Sequence, residues 1–213
     1  NKSISLIGSG ADSGGNSQRS TYIDWGGNPR INAGDGKTIS SVTIEGIYSG
    51  PSFYVEGKIE NLKLKKCYFS NTLGISNNSN DGYTKKVIIE RCRLDNISTD
   101  GSIEDATIKN CKISYAYGQG GQTNSSCKFI NCNIRQVDTN AKAMFVNSII
   151  NEVGNGTDDF LGNNAILVNT LYHNMNGYDP MEKTSLQDCW ATTETVISSN
   201  TGDMDCPMTV EQR

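Results

Sequence analysis

Apolar and polar residues along this chain follow one short pattern that recurs about every twenty positions. Two apolar residues alternate with polar ones, a bend residue follows, and a small or apolar residue, here called the marker, comes directly after the bend. In the first copy these residues are Val42, Ile44, Gly46 and the marker Ile47. The eight markers stand at positions 47, 67, 92, 111, 132, 148, 170 and 189, a mean spacing of about 20 residues. A fixed period of this length is typical of solenoids, so the pattern predicts a solenoid.

Each turn of this solenoid is predicted to contain short strands joined by a one-residue corner. Alternation over four or five residues is strand periodicity, but the marker follows the second apolar residue by three positions rather than two. Both residues face inward only if the chain turns a corner between them. The predicted corner residues tolerate the left-handed backbone conformation that such a corner requires, and they are Gly46, Asn110, Asn131, Asn147, Asn169 and Asp188. Lys66 and Arg91 stand at the same position without a local reason to turn there, and stacked Asn side chains are expected to hydrogen-bond along the rod.

Five of the seven cysteines occupy the marker position, at Cys67, Cys92, Cys111, Cys132 and Cys189. Side chains in one inward column point the same way, so the torsion of a disulfide bond is hard to reach between neighbouring turns. A zinc site needs ligands that converge from several directions, and the chain contains no Cys-x-x-Cys or His-x-x-x-His spacing. The pattern therefore favours buried, unbridged cysteines that act as small apolar side chains.

The asparagine corner, the cysteine column and the turn length together resemble the right-handed parallel β-helix superfamily, whose members include the pectate lyases. The resemblance covers residues 42–191. It implies an all-β fold, a right-handed single-stranded parallel β-helix of about nine to ten turns, or rungs. It also implies three strands per rung, with the first strand in segments such as 53–55, 115–117 and 136–138.

The pattern itself assigns the two ends of the chain. Ile4, Leu6 and Gly8 repeat it near the N-terminus, and the length that follows leaves room for another rung around residues 21–27. Residues 1–193 are therefore predicted to form one β-helix. Residues 194–213 are predicted to form a C-terminal tail that packs on the helix or leads into a further domain.

Composition and charge exclude some classes of function. Only 35% of the 213 residues are hydrophobic, which suits a thin rod better than a compact helical domain. The formal net charge is −4, whereas a nucleic-acid surface would need clustered Lys and Arg. No stretch is apolar enough to span a membrane. The chain begins without Met inside a rung, so it is interpreted as a processed or trimmed product, and the architecture predicts a secreted or cell-surface protein.

Polysaccharide lyases of the resembled superfamily hold calcium with carboxylates and use an Arg or Lys base. The resemblance implies the calcium ligands Asp100, Glu104 and Asp138, because calcium prefers six to eight oxygen ligands. Arg135 is the arginine nearest to these positions and is either the base or a solvated side chain. No cofactor is expected, with this calcium ion as the one alternative.

Hydrolases of the same superfamily combine paired aspartates with a histidine and a basic pair. This chain contains Asp158 and Asp159 but lacks the accompanying Gly-His-Gly and Arg-x-Lys motifs. We interpret the aspartate pair as part of a turn. The single histidine, His173, is interpreted as a surface residue.

The best indication of binding is aromatic. Tyr115 and Tyr117 stand two positions apart in a predicted strand, beside the glycine-rich segment 118–124. Tyrosine offers a flat apolar ring with a polar tip, which suits a sugar ring. The sequence predicts a glycan-binding pair here, with the alternative that both rings point inward and fill the core.

Late in the rod the predicted outward positions become apolar. Met144, Val146, Ile166 and Val168 lie on two adjacent rungs and form a patch that should be covered. The cover is either the C-terminal tail or a second copy of the chain in a homo-oligomer.

Together these observations favour an extracellular or cell-surface β-helix that binds a polysaccharide or cell-surface glycan, or acts as an adhesin or structural module. The alternative is a polysaccharide lyase or glycoside hydrolase that acts on an acidic polysaccharide. A trimeric fibre module is a third hypothesis, which rests on the apolar patch.

Overall fold

The computed structural model describes residues 2–9, 21–23, 26–34, 36–76, 83–99, 103–118, 126–139, 142–153, 165–174, 184–187 and 190–191. These residues contain twenty strands and no helix, so none of them belongs to a helix that could cross a membrane. The strands belong to two sheets. One sheet contains β1 (Lys2–Ile7), β4 (Thr38–Glu45), β7 (Lys58–Lys65), β9 (Tyr83–Glu90), β11 (Ile103–Lys109), β13 (Ser126–Ile130), β15 (Lys142–Val146), β17 (Ala165–Val168) and β19 (Thr184–Gln187). The other contains β2 (Thr21–Ile23), β3 (Arg30–Asn32), β5 (Ile47–Ser49), β6 (Phe53–Glu56), β8 (Tyr68–Ser76), β10 (Arg93–Ser98), β12 (Lys112–Gly118), β14 (Asn133–Thr139), β16 (Ile149–Val153), β18 (Leu171–Asn174) and β20 (Trp190–Ala191).

The chain winds repeatedly from one sheet to the other. Along each sheet every strand pairs in parallel with the strand one turn later, so β4 pairs β7 and β10 pairs β12. Nine strands stack in the first sheet, which gives a rod of about 38 Å at the usual spacing between neighbouring strands. The prediction of an all-β parallel β-helix is confirmed. The right-handed winding stays a prediction.

The corners between the two sheets are left-handed, as the pattern predicts. Gly46 has φ 68°, and the four Asn corners from Asn110 to Asn169 have φ between 46° and 55°. Asp188 lies outside the described residues. The amide ladder is also present, since Asn131 Nδ2 donates to Asn110 Oδ1 at 3.3 Å and Asn169 Nδ2 donates to Asn147 Oδ1 at 2.8 Å.

Lys66 and Arg91 turn the same left-handed corner, with φ values of 52° and 54°. Their backbone N–H groups donate to the next rung, to Glu90 O at 3.0 Å and to Lys109 O at 3.1 Å. The stack therefore holds these residues in a conformation that costs an ordinary L residue about 1–2 kcal/mol. Pairing with the neighbouring rungs, rather than local preference, sets the corner here.

The core is a set of inward columns in which each residue lies above its counterpart one turn earlier. One column consists of Leu64, Ile89, Ile108, Phe129, Phe145 and Leu167, all buried. Phe129 and Phe145 stack with ring centroids 4.9 Å apart and planes inclined by 8°. Burial of each such side chain stabilises the fold by about 1.5–3 kcal/mol.

The segments predicted as the first strand of a rung are all paired strand residues. Residues 53–55 belong to β6, which follows Pro51 and is separate from β5. Residues 115–117 and 136–138 are instead the later parts of β12 and β14, which run on from the strand after the corner. Buried residues three positions apart, Ile113 and Ala116, mark a second bend within β12.

The strained lysine corner yields a stability test. We expect Lys66→Asn to stabilise the protein by about 0.5–1 kcal/mol, because Asn tolerates φ 52° at less cost than Lys. The exposed ion pair that is lost, Lys66 Nζ to Glu45 Oε1 at 3.9 Å, contributes little. The urea midpoint measures the effect. The matched control is Lys65→Asn, one residue earlier in β7, which should destabilise because Asn disfavours strands; equal effects at both positions would contradict the corner argument.

Candidate functional site

Among the residues whose side chains the structure describes, six tyrosines project from the outer face of the eleven-stranded sheet. They are Tyr22, Tyr48, Tyr54, Tyr68, Tyr115 and Tyr117. The outer face of the nine-stranded sheet differs, since its outward columns carry Lys, Glu and Thr in the early rungs and apolar residues in the later ones. The outer face of the eleven-stranded sheet is therefore the candidate functional surface.

Tyr115 and Tyr117 point outward from β12. The residue between them, Ala116, is buried, and both tyrosines are half-buried. Their rings stack with centroids 5.2 Å apart and planes inclined by 29°. The alternative that these rings fill the core is therefore excluded.

The tyrosine pair has polar neighbours on the adjacent rungs. In the sheet register, Tyr115 lies between Asn96 on β10 and Gln136 on β14. Tyr117 lies between Ser98 on β10 and Asp138 on β14. Amide side chains next to half-buried rings can donate and accept hydrogen bonds while the rings supply apolar contact. This combination suits a ligand with many hydroxyl groups.

Two cations lie on the same outer face as the pair. Lys112 begins β12, Arg135 lies on β14, and both side chains are exposed. Neither forms an ion pair with another residue in the described part of the chain. They can therefore interact with negative groups of a ligand.

A second aromatic group forms a ladder that runs along the rod. The ring centroids of Tyr22 and Tyr48 are 5.3 Å apart, and those of Tyr48 and Tyr68 are 5.0 Å apart. The guanidinium carbon of Arg93 lies 4.6 Å from the Tyr68 centroid and closes the ladder at that end. The Tyr48 hydroxyl and Ser70 Oγ share a hydrogen bond of 3.0 Å. Sequence reasoning missed this ladder, although Tyr48, Tyr68 and Arg93 each directly follow a marker residue and could have been found by that rule.

Near the start of the outer face of the eleven-stranded sheet, a third group of side chains surrounds the buried carboxylate of Glu56. Glu56 is 4% exposed, and its Oε1 accepts a hydrogen bond of 2.7 Å from Arg30 Nη1. Asn32 Nδ2 donates to Glu56 Oε2 at 3.4 Å. The Arg30 guanidinium also lies 4.9 Å from the Tyr54 ring centroid. A buried carboxylate needs such partners, so this group is interpreted as structural; sequence reasoning gave no signal for it.

A charged network lies on the other sheet. Glu60 accepts a hydrogen bond from the Tyr83 hydroxyl at 2.7 Å and pairs with Lys85 Nζ at 2.8 Å. The hydrogen bond to Lys85 lowers the pKa of Glu60, and the bond to Glu60 raises the pKa of Tyr83. All three groups satisfy one another at the surface, so the network offers no unpaired group for chemistry.

Of the three predicted calcium ligands, the structure describes the strands of two, and these strands belong to different sheets. Asp100 lies outside the described part of the chain. Glu104 is exposed on β11, while Asp138 belongs to β14 in the other sheet. Among the described residues no three of His, Cys, Asp and Glu come close enough to hold a metal ion. Calcium binding stays a prediction, and no chemical step is derived from it.

The structure adds no support for the residues that a hydrolase would use. Asp158 and Asp159 lie outside the described residues. His173 belongs to β18, the eighth strand along the main path of its sheet, far along the rod from β12. The histidine is thus separated from the tyrosine pair by three strand spacings.

The marker cysteines are buried and carry no disulfide in the described residues, which confirms the prediction for Cys67, Cys92, Cys111 and Cys132. Cys189 lies outside the described part. The Cys67 thiol donates to Lys65 O at 3.2 Å, and Cys67 N–H donates to Cys92 Sγ at 3.4 Å. Later rungs make the same bonds with hydroxyls, as Ser148 Oγ donates to Val146 O at 2.9 Å and accepts from Cys132 N–H at 3.2 Å. These four cysteines are therefore interpreted as structural, since each is at most 4% exposed.

Cys127 lies in a different inward column, between Ala106 and Ala143 of the adjacent rungs. Burial, with a smaller contribution from the Asp105 charge, raises the pKa of the Cys127 thiol to about 12. A thiol with so high a pKa stays protonated at neutral pH and is neither a nucleophile nor a metal ligand.

This thiol predicts a loss of stability in alkali. Its pKa is about 12 in the folded chain and about 8.5 in an unfolded one, so its stabilising contribution is complete below pH 8 and is lost as the pH rises towards 12. The loss approaches about 1.4 kcal/mol per pH unit within that window. We expect Cys127→Ala, which copies the alanines of both adjacent rungs, to lose less stability between pH 7 and pH 10 than the unaltered chain. Urea midpoints at the two pH values measure this, and parallel losses would contradict it.

No protein-family model, curated protein or solved structure matches this chain. The strand pairing by itself establishes the parallel β-helix. Strand pairing of this kind does not establish kinship with the pectate lyases, because one architecture hosts many functions.

Proposed function

We propose that this chain is a secreted or cell-surface β-helix that binds a polysaccharide or cell-surface glycan through the face around Tyr115 and Tyr117. The observation that carries the proposal is the outward, stacked arrangement of the two rings. Such a protein would serve as an adhesin or as a structural module that holds glycan. Distant kinship with the glycan-handling pectate lyases is part of the same proposal and is consistent with the fold.

The strand geometry supports binding because it limits the conformational entropy that the site loses when a ligand binds. Both tyrosines stand on β12, which is paired on each side by β10 and β14. Because the backbone is fixed before a ligand arrives, little conformational entropy is lost on association. The rings supply apolar contact, Asn96 and Gln136 supply amide groups, and Lys112 and Arg135 favour ligands that carry negative charge.

Substitution of the tyrosines tests the proposal. We expect a glycan array to give hits with the unaltered chain, and Tyr115→Ala and Tyr117→Ala each to weaken binding to those hits by roughly tenfold, since a lost aromatic contact costs about 0.5–1.5 kcal/mol beyond its buried area. Titration calorimetry with the best ligand measures the change.

The matched control is Tyr83→Ala, which removes a tyrosine from β9 in the other sheet. It should leave the affinity unchanged. An array without hits, or equal weakening by all three variants, would refute binding at this face, and circular dichroism would establish that each variant keeps its strand content.

A polysaccharide lyase or glycoside hydrolase acting on acidic polysaccharide is the second candidate. The exposed Arg135 near the tyrosine pair favours it, because lyases of the resembled superfamily use an Arg or Lys base. We expect, if this candidate is correct, that pectin or alginate incubated with the chain, with and without calcium, gives a rise in ultraviolet absorbance from unsaturated product. Arg135→Gln should abolish that rise, and no rise for any acidic polysaccharide would exclude the lyase.

A further inference from the structure

An apolar patch occupies the outer surface of the late rungs. It contains Met144, Val146, Ile149, Ile166, Val168 and Leu171, which pair across two adjacent rungs in both sheets. Ile149 is 42% exposed and Ile166 is 36% exposed, while the others are half-buried. A contiguous group of six apolar side chains, two exposed and four half-buried, is typical of a contact surface.

The last described strand, β20, lies beside this patch. In β20, Trp190 pairs with Leu171, a member of the patch. A further 22 residues follow Ala191 in the sequence. Fully extended, a segment of that length reaches about 70 Å, whereas the patch lies within two rungs, or about 10 Å along the rod. The tail is thus long enough to return across the patch.

The composition of the tail matches the surface it would cover. Its apolar residues are Val196, Ile197, Met204, Met208 and Val210, and its charged residues are Glu194, Asp203, Asp205, Glu211 and Arg213. On the rungs that precede the patch, the outer face carries lysines. Lys128 pairs with Met144 and is exposed, and Lys109 lies one rung earlier. An acidic segment with apolar residues therefore meets both an apolar patch and positive charge at its edge.

We infer that residues 192–213 fold back along the outer face of the late rungs and cover the apolar patch. The tail then acts as a lateral cover that keeps the rod from associating through this face. A second copy of the chain is the competing occupant, and it would make the patch a homo-oligomer interface.

Photo-cross-linking separates the two occupants in the full chain. Ile166 is replaced by benzoylphenylalanine, and the matched control places the same group at Lys63, which points outward from the same column of the same sheet five rungs earlier. We expect the probe at position 166 to cross-link to the tail of its own chain. Chymotrypsin cleaves after Trp190, so the cross-linked product should contain a peptide that follows this residue. The probe at position 63 should give no such product.

Tail variants provide the second measurement without altering the rod. We expect Val196→Asp together with Ile197→Asp to lower the yield of the intrachain product by roughly tenfold or more, because burial of each side chain is worth at least that factor. The control, Ser198→Asp with Ser199→Asp, adds the same charge beside them and should leave the yield within about twofold, since added surface charge there changes little.

The opposite results overturn the inference. Cross-links that join two chains would show that a second copy occupies the patch. Reaction with solvent alone would show that the patch stays uncovered. Equal yields from both tail variants would show that the apolar residues of the tail do not hold it in place.

Discussion

Backbone pairing between successive rungs is the interaction on which everything else in this protein depends. A single rung has too little core to be stable, so each one is held by the hydrogen bonds of its neighbours. These bonds continue through the corners, as when Lys66 N–H donates to Glu90 O at 3.0 Å. Because the register is fixed there, the paired strand residues lie above their counterparts one turn earlier, apart from shifts at Leu94/Asn96 and two other places. Inward positions become columns of core side chains, and outward positions become columns on the surface.

The surface columns must therefore be compatible with a neighbour at the strand spacing of about 4.8 Å. Charges obey this rule on the nine-stranded sheet, where Glu45, Lys65, Glu90 and Lys109 alternate in sign on consecutive rungs. Lys109 Nζ lies 3.7 Å from Glu90 Oε2. Each exposed pair is weak, but pairing that skipped one rung would set Glu45 against Glu90. The alternation thus disfavours a pairing that skips one rung.

The same constraint explains what sequence could predict. The interior repeats at every turn, so the pattern identifies the core columns, the asparagine corners and the cysteine column. It could not explain Lys66 and Arg91, because stacking overrides their local preference. The pattern also left open whether Tyr115 points inward or outward. Ile113 and Ala116 are three positions apart and both buried, so the second bend between them breaks the alternation that would predict the direction. The tyrosine ladder escaped notice because it has one ring per rung, twenty or more residues apart in the chain.

The two aromatic groups on the outer face of the eleven-stranded sheet differ in what their rings contact. This difference indicates which group stabilises the fold and which is the better candidate for binding. In the ladder, Tyr48 packs against rings on both sides, and Tyr68 packs between Tyr48 and the Arg93 guanidinium. Those ring faces stabilise the stack and are largely unavailable to a sugar, which needs a ring face for apolar contact. The rings of Tyr115 and Tyr117 instead stack on each other, and the amide side chains of Asn96 and Gln136 flank Tyr115 in the sheet register. Binding is therefore better assigned to the pair, and stabilisation of the early rungs to the ladder.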